Sequence, residues 1–268
     1  MELPLPPVEL AVRVGVPDQD DPLGSYLRLG RDSRRLVLSL LPDRWSFEGK
    51  RVLDFGSGAG KVLRHFAAEA AIAELHGCDI DEASIDWLRR ELCPPFDAFH
   101  NDEAPPLPVP DEHYDLVLAL SVFTHLTDRW SDWLLELHRV LRPEGLLIAT
   151  FLGRAAYEAM REEPYDEDRL GMNVLGRNQG WDVGGPTVFH SEWWLRAHWG
   201  RAFEFVELRH GSSPGEHGIA LLRKRPVALG TEDLERAEPD EPRDLAAERT
   251  QRRLDRGPLR RLYASWRR

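Results

Sequence analysis

The residues with the clearest chemical logic are Val52-Leu53-Asp54-Phe55-Gly56-Ser57-Gly58-Ala59-Gly60. A short apolar run ends in three glycines at alternate positions and then gives way to amphipathic sequence, as where a strand turns into a helix. Glycine lets backbone approach a ligand closely and adopts positive φ without strain. The free amides at a helix start favour a negative group. Dinucleotide enzymes use a related turn, spaced G-x-G-x-x-G, to seat a diphosphate. Here the spacing is G-x-G-x-G, and Asp54 stands two residues before the first glycine. A carboxylate there repels a diphosphate and attracts an ammonium or sulfonium cation. The pattern favours a methionine-derived cofactor over a nicotinamide one.

Asp79 lies in Gly77-Cys78-Asp79-Ile80-Asp81, at the end of the next apolar run. A carboxylate at that place accepts both ribose hydroxyls of an adenine nucleoside. The plain alternative is that Asp79 or Asp81 caps the following helix, and Asp81 is assigned that task. A third acidic turn, Asn101-Asp102-Glu103-Ala104, places a carboxylate where an exocyclic adenine amine would donate, with an ordinary turn as its rival.

These groups need a scaffold, and the chain supplies one. RVLDF (51–55), Leu75 to Ile80, Phe96 to Phe99, DLVLAL (115–120) and LLIATF (146–151) read as buried strands. Between them, residues 60–70, 82–92 and 128–141 have helical spacing, and Arg142 to Gly145 form a turn. Continuous apolar strands alternating with helices mean a parallel sheet covered on both faces. Residues 1–24 read as an extended arm and 25–41 as a helix capped by Asp32 or Ser33. After Gly153 the pattern breaks: 154–189 looks like an insertion, and FEFVELR (203–209) and HGIALLRK (217–224) read as a closing antiparallel pair.

Taken together, the motif at 52–60, Asp79, the N-D-E-A turn, DLVLALSVFTHL (115–126) and R-V-L-R-P-E-G-L-L (139–147) resemble the class I S-adenosylmethionine-dependent methyltransferases in order and spacing. The resemblance covers roughly residues 45–153 and, more loosely, the last two strands. It implies a seven-stranded, mostly parallel Rossmann-like sheet with helices on both faces, an antiparallel last strand and strand order 3-2-1-4-5-7-6. S-adenosylmethionine is the implied cofactor. Gly56, Ser57, Gly58 and Gly60 would line its methionine part, with Asp54 near the amino group. Asp79 and Ile80 would hold the ribose, Asp102 the adenine, and Ser121 would face the cofactor from the fourth strand. The helix at 25–41 would act as a lid, with Tyr26 and Arg31 near the methionine carboxylate.

Methyl transfer from a sulfonium is an in-line displacement, in which alignment alone can lower the barrier by roughly 7–11 kcal/mol. A hydroxyl or protonated amine must also lose a proton, so a base near neutrality helps. His125, just past the fourth strand, and His190, at the end of the insertion, are the two candidates; the bland reading of His125 is loop support. Asp182 and Glu192 are weaker carboxylate candidates. Trp181, Trp193, Trp194 and Trp199 suit either an aromatic wall or the core, and the core reading is favoured for the helical ones.

Composition bounds the partners. A net charge of −11 and the absence of a nucleic-acid module argue against a general nucleic-acid binder. No N-P-P-Y-like motif follows the fourth strand, which disfavours flipped-base amines. Cys78 and Cys93 offer neither a disulfide framework nor a metal cluster. No apolar run reaches membrane-span length and the first residues lack signal-peptide character, so a cytoplasmic protein is expected. Residues 249–268 carry eight arginines against one acid, following an acidic stretch at 232–248. That segment is either a self-pairing solvated tail or a dock for an acidic partner.

The expected organisation is an arm and lid helix (1–44), a methyltransferase domain (45–225) with a substrate-cap insertion at about 154–190, and a charged tail (226–268). The expected activity is methyl transfer to a hydroxyl or amine of a small-molecule or glycan-type substrate. The alternatives are a non-catalytic S-adenosylmethionine-binding subunit docking through its tail and, less favoured, a nicotinamide oxidoreductase.

Overall fold

The computed structural model describes residues 3–14, 18, 20–161, 164–167, 170–181, 184–211 and 216–239. Five parallel strands form the heart of the sheet: β1 (Arg51–Phe55), β2 (Glu74–Asp79), β3 (Asp97–His100), β4 (Tyr114–Ala119) and β5 (Leu141–Phe151). Two short strands, β6 (Met172–Leu175) and β7 (Thr187–His190), make a separate antiparallel hairpin. The main sheet closes with β8 (Phe203–Arg209) and β9 (Gly218–Lys224), in the order β3-β2-β1-β4-β5-β9-β8. Strand β9 runs antiparallel to both its neighbours, β5 and β8. This is the seven-stranded Rossmann-like arrangement and strand order the sequence implied.

The β4 strand is buried at all six positions, because helices cover both faces of the sheet. One face carries α4 (Trp130–Val140) and α6 (Glu192–His198), with Trp133, Trp194 and Trp199 in its core. The other carries α2 (Pro22–Leu40) and α3 (Glu82–Leu92), packed through Val37, Leu40, Leu88 and Leu92. Each fully buried large apolar side chain contributes about 1.5–3 kcal/mol to holding these layers together. Trp194 and Trp199 are therefore core residues, Trp193 is half-buried, and Trp181 is exposed.

Several local expectations give way. Residues 60–70 form turns and two short 3-10 segments, Leu63–Phe66 and Glu69–Ala71, not a helix. The arm is not simply extended: it contains α1 (Val8–Ala11) and a 3-10 turn, Val12–Val14. Helix α2 begins at Pro22, earlier than expected, because the Asp21 carboxylate accepts from the Gly24 amide at 2.9 Å; Asp32 and Ser33 lie inside it. The Arg142–Gly145 turn is absorbed into β5, with Glu144 at φ +61°. Among the described residues, the regular elements of the insertion are α5 (Arg154–Arg161) and the β6–β7 hairpin. A short helix, α7 (Thr231–Glu235), packs back on the body, and the basic segment 249–268, read as either a self-pairing tail or a dock, lies outside the described residues. Among the described residues, no helix is long and apolar enough to cross a membrane, and no cluster of three potential metal ligands occurs.

Candidate functional site

The glycine turn is built by backbone. Gly56, Gly58 and Gly60 have φ of +79°, +51° and +77°, a region closed to most side chains. The amides of Gly56 and Ser57 both donate to the Cys78 carbonyl at 2.9 Å, which fastens the turn to the end of β2. A Cβ on Gly56 would lie 2.4 Å from Val122 Cγ2, so the turn also abuts the loop after β4. Ser57 is buried, its hydroxyl donating to the Gly58 carbonyl at 3.3 Å.

Asp79 stands at the end of β2 and is oriented by two backbone donors. The Gly58 amide reaches Oδ2 at 2.7 Å and the Asp81 amide reaches Oδ1 at 2.9 Å. Each oxygen keeps a further lone pair, which suits a pair of ribose hydroxyls. Burial raises the Asp79 pKa, an effect that these amides offset only in part. Asp81 sits at the α3 N-cap position, but its side chain caps nothing; it accepts from Arg13 Nη1 at 2.7 and 2.8 Å and from the Ser84 hydroxyl at 2.6 Å. The arm is thereby pinned beside the site.

Asp54 is only 3% exposed, and its Oδ2 has no hydrogen-bond partner. Burial pushes its pKa up to about 7, against the pull of Lys61, whose own pKa burial lowers to about 8. A buried, unmatched carboxylate oxygen beside a glycine turn fits the ammonium of a methionine-derived cofactor. Asn101 is likewise buried with its Oδ1 unmatched, whereas Asp102 is exposed and its backbone carbonyl accepts from Asn101 Nδ2 at 2.9 Å. Ile80 is half-buried, its carbonyl held by His100 Nε2 at 3.1 Å.

The helix expected as a lid packs tightly beside the glycine turn. Gly30 of α2 packs so closely that a Cβ would lie 2.0 Å from the Lys61 carbonyl. Tyr26 is buried and its hydroxyl donates to the Ala59 carbonyl at 2.8 Å, while Arg31 is exposed. Tyr26 thus braces the glycine turn from behind.

At the tip of β4, Ser121 adopts φ +61° and its amide donates to Thr150 Oγ1 at 2.7 Å. Its hydroxyl lies 3.2 Å from His217 Nδ1. Burial, and the neighbouring charges of His125 and Lys61, push the His217 pKa down to about 4. Sequence reasoning passed over His217, although topology offered a signal. A strand antiparallel to β5 begins where β4 and β5 end, so the residue before β9 reaches the ligand edge of the sheet.

The two histidines singled out from the sequence have other surroundings. His125 is exposed, with Nδ1 2.8 Å from the Pro186 carbonyl, and ties the post-β4 loop to the insertion. His190 is 1% exposed, with ring centroids 5.3 and 5.8 Å from Trp194 and Trp199, and burial drives its pKa to about 3. Glu192 lies at the start of α6, bonded to Arg196 at 2.7 Å, and Asp182 lies outside the described residues.

Known proteins resemble this chain over the part that carries the glycine turn and the central strands. Residues 53–149 match the family model described as a methyltransferase domain. A fatty-acid O-methyltransferase of Mycolicibacterium smegmatis is 32% identical over 136 residues, covering 50% of this chain and 49% of that protein. A malonyl-[acyl-carrier protein] O-methyltransferase of Halorhodospira halophila is 34% identical over 129 residues, covering 44% and 39%. The chain thus spans at most about half the length of these two curated relatives. Among solved structures, a glycopeptide N-methyltransferase complexed with S-adenosyl-L-methionine superposes with a TM-score of 0.54 at 13% identity, covering 73% of this chain and 94% of that one. At that identity the likeness speaks for the fold alone.

Proposed function

We propose that this chain, whose residues 53–149 match a methyltransferase-domain family model, is a class I S-adenosylmethionine-dependent methyltransferase that transfers a methyl group to a hydroxyl or amine of a small-molecule substrate. The observation that carries the reading is the unmatched Oδ2 of buried Asp54 beside the positive-φ glycine turn. S-adenosylmethionine, when bound, supplies an activated methyl on a sulfonium.

The protein's own residues do the rest. Asp54 provides the negative charge for the amino group, and the glycine turn gives room for backbone contact. Asp79 takes the ribose hydroxyls, held in orientation by the Gly58 and Asp81 amides. Asn101 and Asp102 flank the adenine position. Ser121 and His217 stand at the strand ends where an acceptor would approach. When His217 Nδ1–H donates to Ser121 Oγ, the Nε2 lone pair is left to accept a hydrogen bond from the acceptor's O–H or N–H. His125 organises the loop around this point through Pro186. The segment 154–190 forms the substrate side.

The relatives named as O-methyltransferases favour an oxygen or a similar nucleophile on a small molecule over a nucleic-acid base. The test is release of S-adenosylhomocysteine from S-adenosylmethionine across panels of small alcohols, carboxylic acids and amines. Acceptor-dependent release from at least one panel is expected. Tight cofactor binding with no release from any would leave a binding subunit in place of an enzyme.

A further inference from the structure

Three carboxylates gather at the cofactor edge of the sheet: Asp54 near the end of β1, Asp79 at the end of β2 and Asp81 just past it. Asp54 and Asp79 each feel a like-charged neighbour, Asp79 in the first case and Asp81 in the second. Such a group raises the proton affinity of the next unless a cation answers it. Lys61 acts on Asp54. For Asp81 the cation comes from outside the sheet, on the N-terminal arm. The Arg13 Nη1 donates to both Asp81 oxygens, at 2.7 and 2.8 Å.

Asp81 is a junction. Its amide donates to Asp79 Oδ1 at 2.9 Å, and its carbonyl accepts the Ile85 amide at 3.1 Å, which starts α3. Its carboxylate also accepts from the Ser84 hydroxyl at 2.6 Å. The Asp81 side chain is only 10% exposed, so solvent screens it weakly. Removing one partner of such a pair leaves a charge uncompensated. That charge would stand two residues from the carboxylate assigned to the ribose. Burial raises the Asp79 pKa most, and the Asp81 charge adds to it. Only as an anion does Asp79 offer acceptors on both oxygens and no competing O–H.

The arm brings the guanidinium to this place. The Leu3 carbonyl accepts from Arg64 Nη2 at 2.8 Å, Leu10 and Ala11 of α1 are buried, and the Val12–Val14 turn carries Arg13 on to Asp81. An ion pair exposed on both sides contributes little. Here one partner is nearly buried and is joined through its own amide to the ribose acceptor.

We propose that Arg13 is a positioning residue for the cofactor's ribose: it fixes and neutralises Asp81, which holds Asp79 as an ionised acceptor for both ribose hydroxyls. The statement rests on the methyltransferase reading above. It gives the arm a part in cofactor selection, although the arm lies outside the sheet and its glycine turn.

The test compares S-adenosylhomocysteine with its 2′,3′-dideoxy analogue, which lacks only the two hydroxyls, by calorimetry on the full-length protein. The parent should favour the ribose form by about thirtyfold. Arg13→Ala should lose about tenfold of the affinity for S-adenosylhomocysteine and no more than about twofold of that for the analogue. Arg13→Lys, which keeps the charge, should return the first affinity to within about threefold of the parent. In an Asp81→Asn background the loss of Arg13 should cost less than about twofold, because the charge it answers has gone. An arm that served folding alone would weaken both ligands alike, in either background. Equal losses for the two ligands, no loss in Arg13→Ala, no rescue by lysine, or a full tenfold loss in the Asp81→Asn background would overturn the proposal. If the parent binds S-adenosylhomocysteine and the variants give any of those results, the role of Arg13 alone fails. If the parent does not bind it, the methyltransferase reading fails and the ribose role falls with it.

Discussion

The glycine-turn pocket and a second cleft, past the end of β5, lie at the same edge of the sheet, and each contains a buried polar group without a partner: Asp54 Oδ2 in one, the His190 ring in the other. They are made differently. The first is a backbone object, shaped by positive-φ glycines fastened to the Cys78 carbonyl and by an aspartate clamped between two amides. Its glycines, Asp54, Asp79 and the adenine-side Asn101 and Asp102 all fall between residues 54 and 102. The second is a side-chain object, assembled from the insertion, α6 and the β8–β9 turn. A pocket defined by backbone suits a cofactor shared by a whole family, and one defined by side chains on an insertion can change substrate without disturbing the sheet.

That contrast can be broken in order of expected effect. Gly56→Ala should do most. Its φ of +79° costs an L-residue about 1–2 kcal/mol, and the new Cβ would meet Val122 Cγ2 at 2.4 Å. S-adenosylhomocysteine affinity should fall by about a hundredfold or more, with the NMR resonances of the His190 ring unmoved if the two pockets are independent. Their displacement in a folded variant, checked by circular dichroism, would show that the two pockets are one site.

Asp79→Ala comes next. It removes the acceptor for the Gly58 and Asp81 amides, each worth about 1 kcal/mol, as well as the ribose contact. Thermal melting should drop, and S-adenosylhomocysteine affinity should fall by about thirtyfold in calorimetry.

Asp54→Asn separates stability from function. The Asp54 pKa is raised to about 7 in the folded chain, against about 3.9 unfolded. Its contribution to stability is therefore full below about pH 4 and is lost as pH rises toward 7. The asparagine variant, with nothing to ionise, should melt higher than the parent at pH 8, by a margin that shrinks at pH 5.5. Cofactor binding should move the other way: the parent's affinity weakens below pH 7 as the carboxylate takes up a proton, and the variant's is weaker at pH 8 and flat with pH. A variant that melts lower at pH 8 would contradict the burial argument. The smallest effect is expected for His217→Asn, with S-adenosylhomocysteine affinity within about twofold of the parent and losses confined to turnover.

The same contrast explains what was legible in the sequence. The strands β1, β2, β4 and β5 announced themselves as short apolar runs, because a sheet covered on both faces leaves no room for polar alternation. The glycine turn and Asp79 were legible because backbone demands restrict residue type. Residues 60–70 misled, since their apolar spacing serves two short 3-10 turns equally well. The start of α2 was missed because Asp21 lies within a proline- and aspartate-rich stretch that reads as coil. His190 looked like a base from its place in the chain, yet tryptophans from α6 and the segment after it close over it. Of the glutamates past the end of β5, only Glu192 was singled out in the sequence; His217, Glu158, Glu167 and Glu216 were not, because their meeting depends on tertiary placement, with Glu158 and Glu216 far apart in the chain.

The most direct test of the central claim is calorimetric titration of the full-length protein with S-adenosylhomocysteine and, separately, with NAD at pH 8, repeated on Asp79→Ala. Micromolar binding of S-adenosylhomocysteine alone, weakened in the variant, is the predicted result. Binding of NAD in its place, or of neither ligand, would contradict the assignment of the glycine turn, Asp54 and Asp79 to a methyltransferase cofactor site.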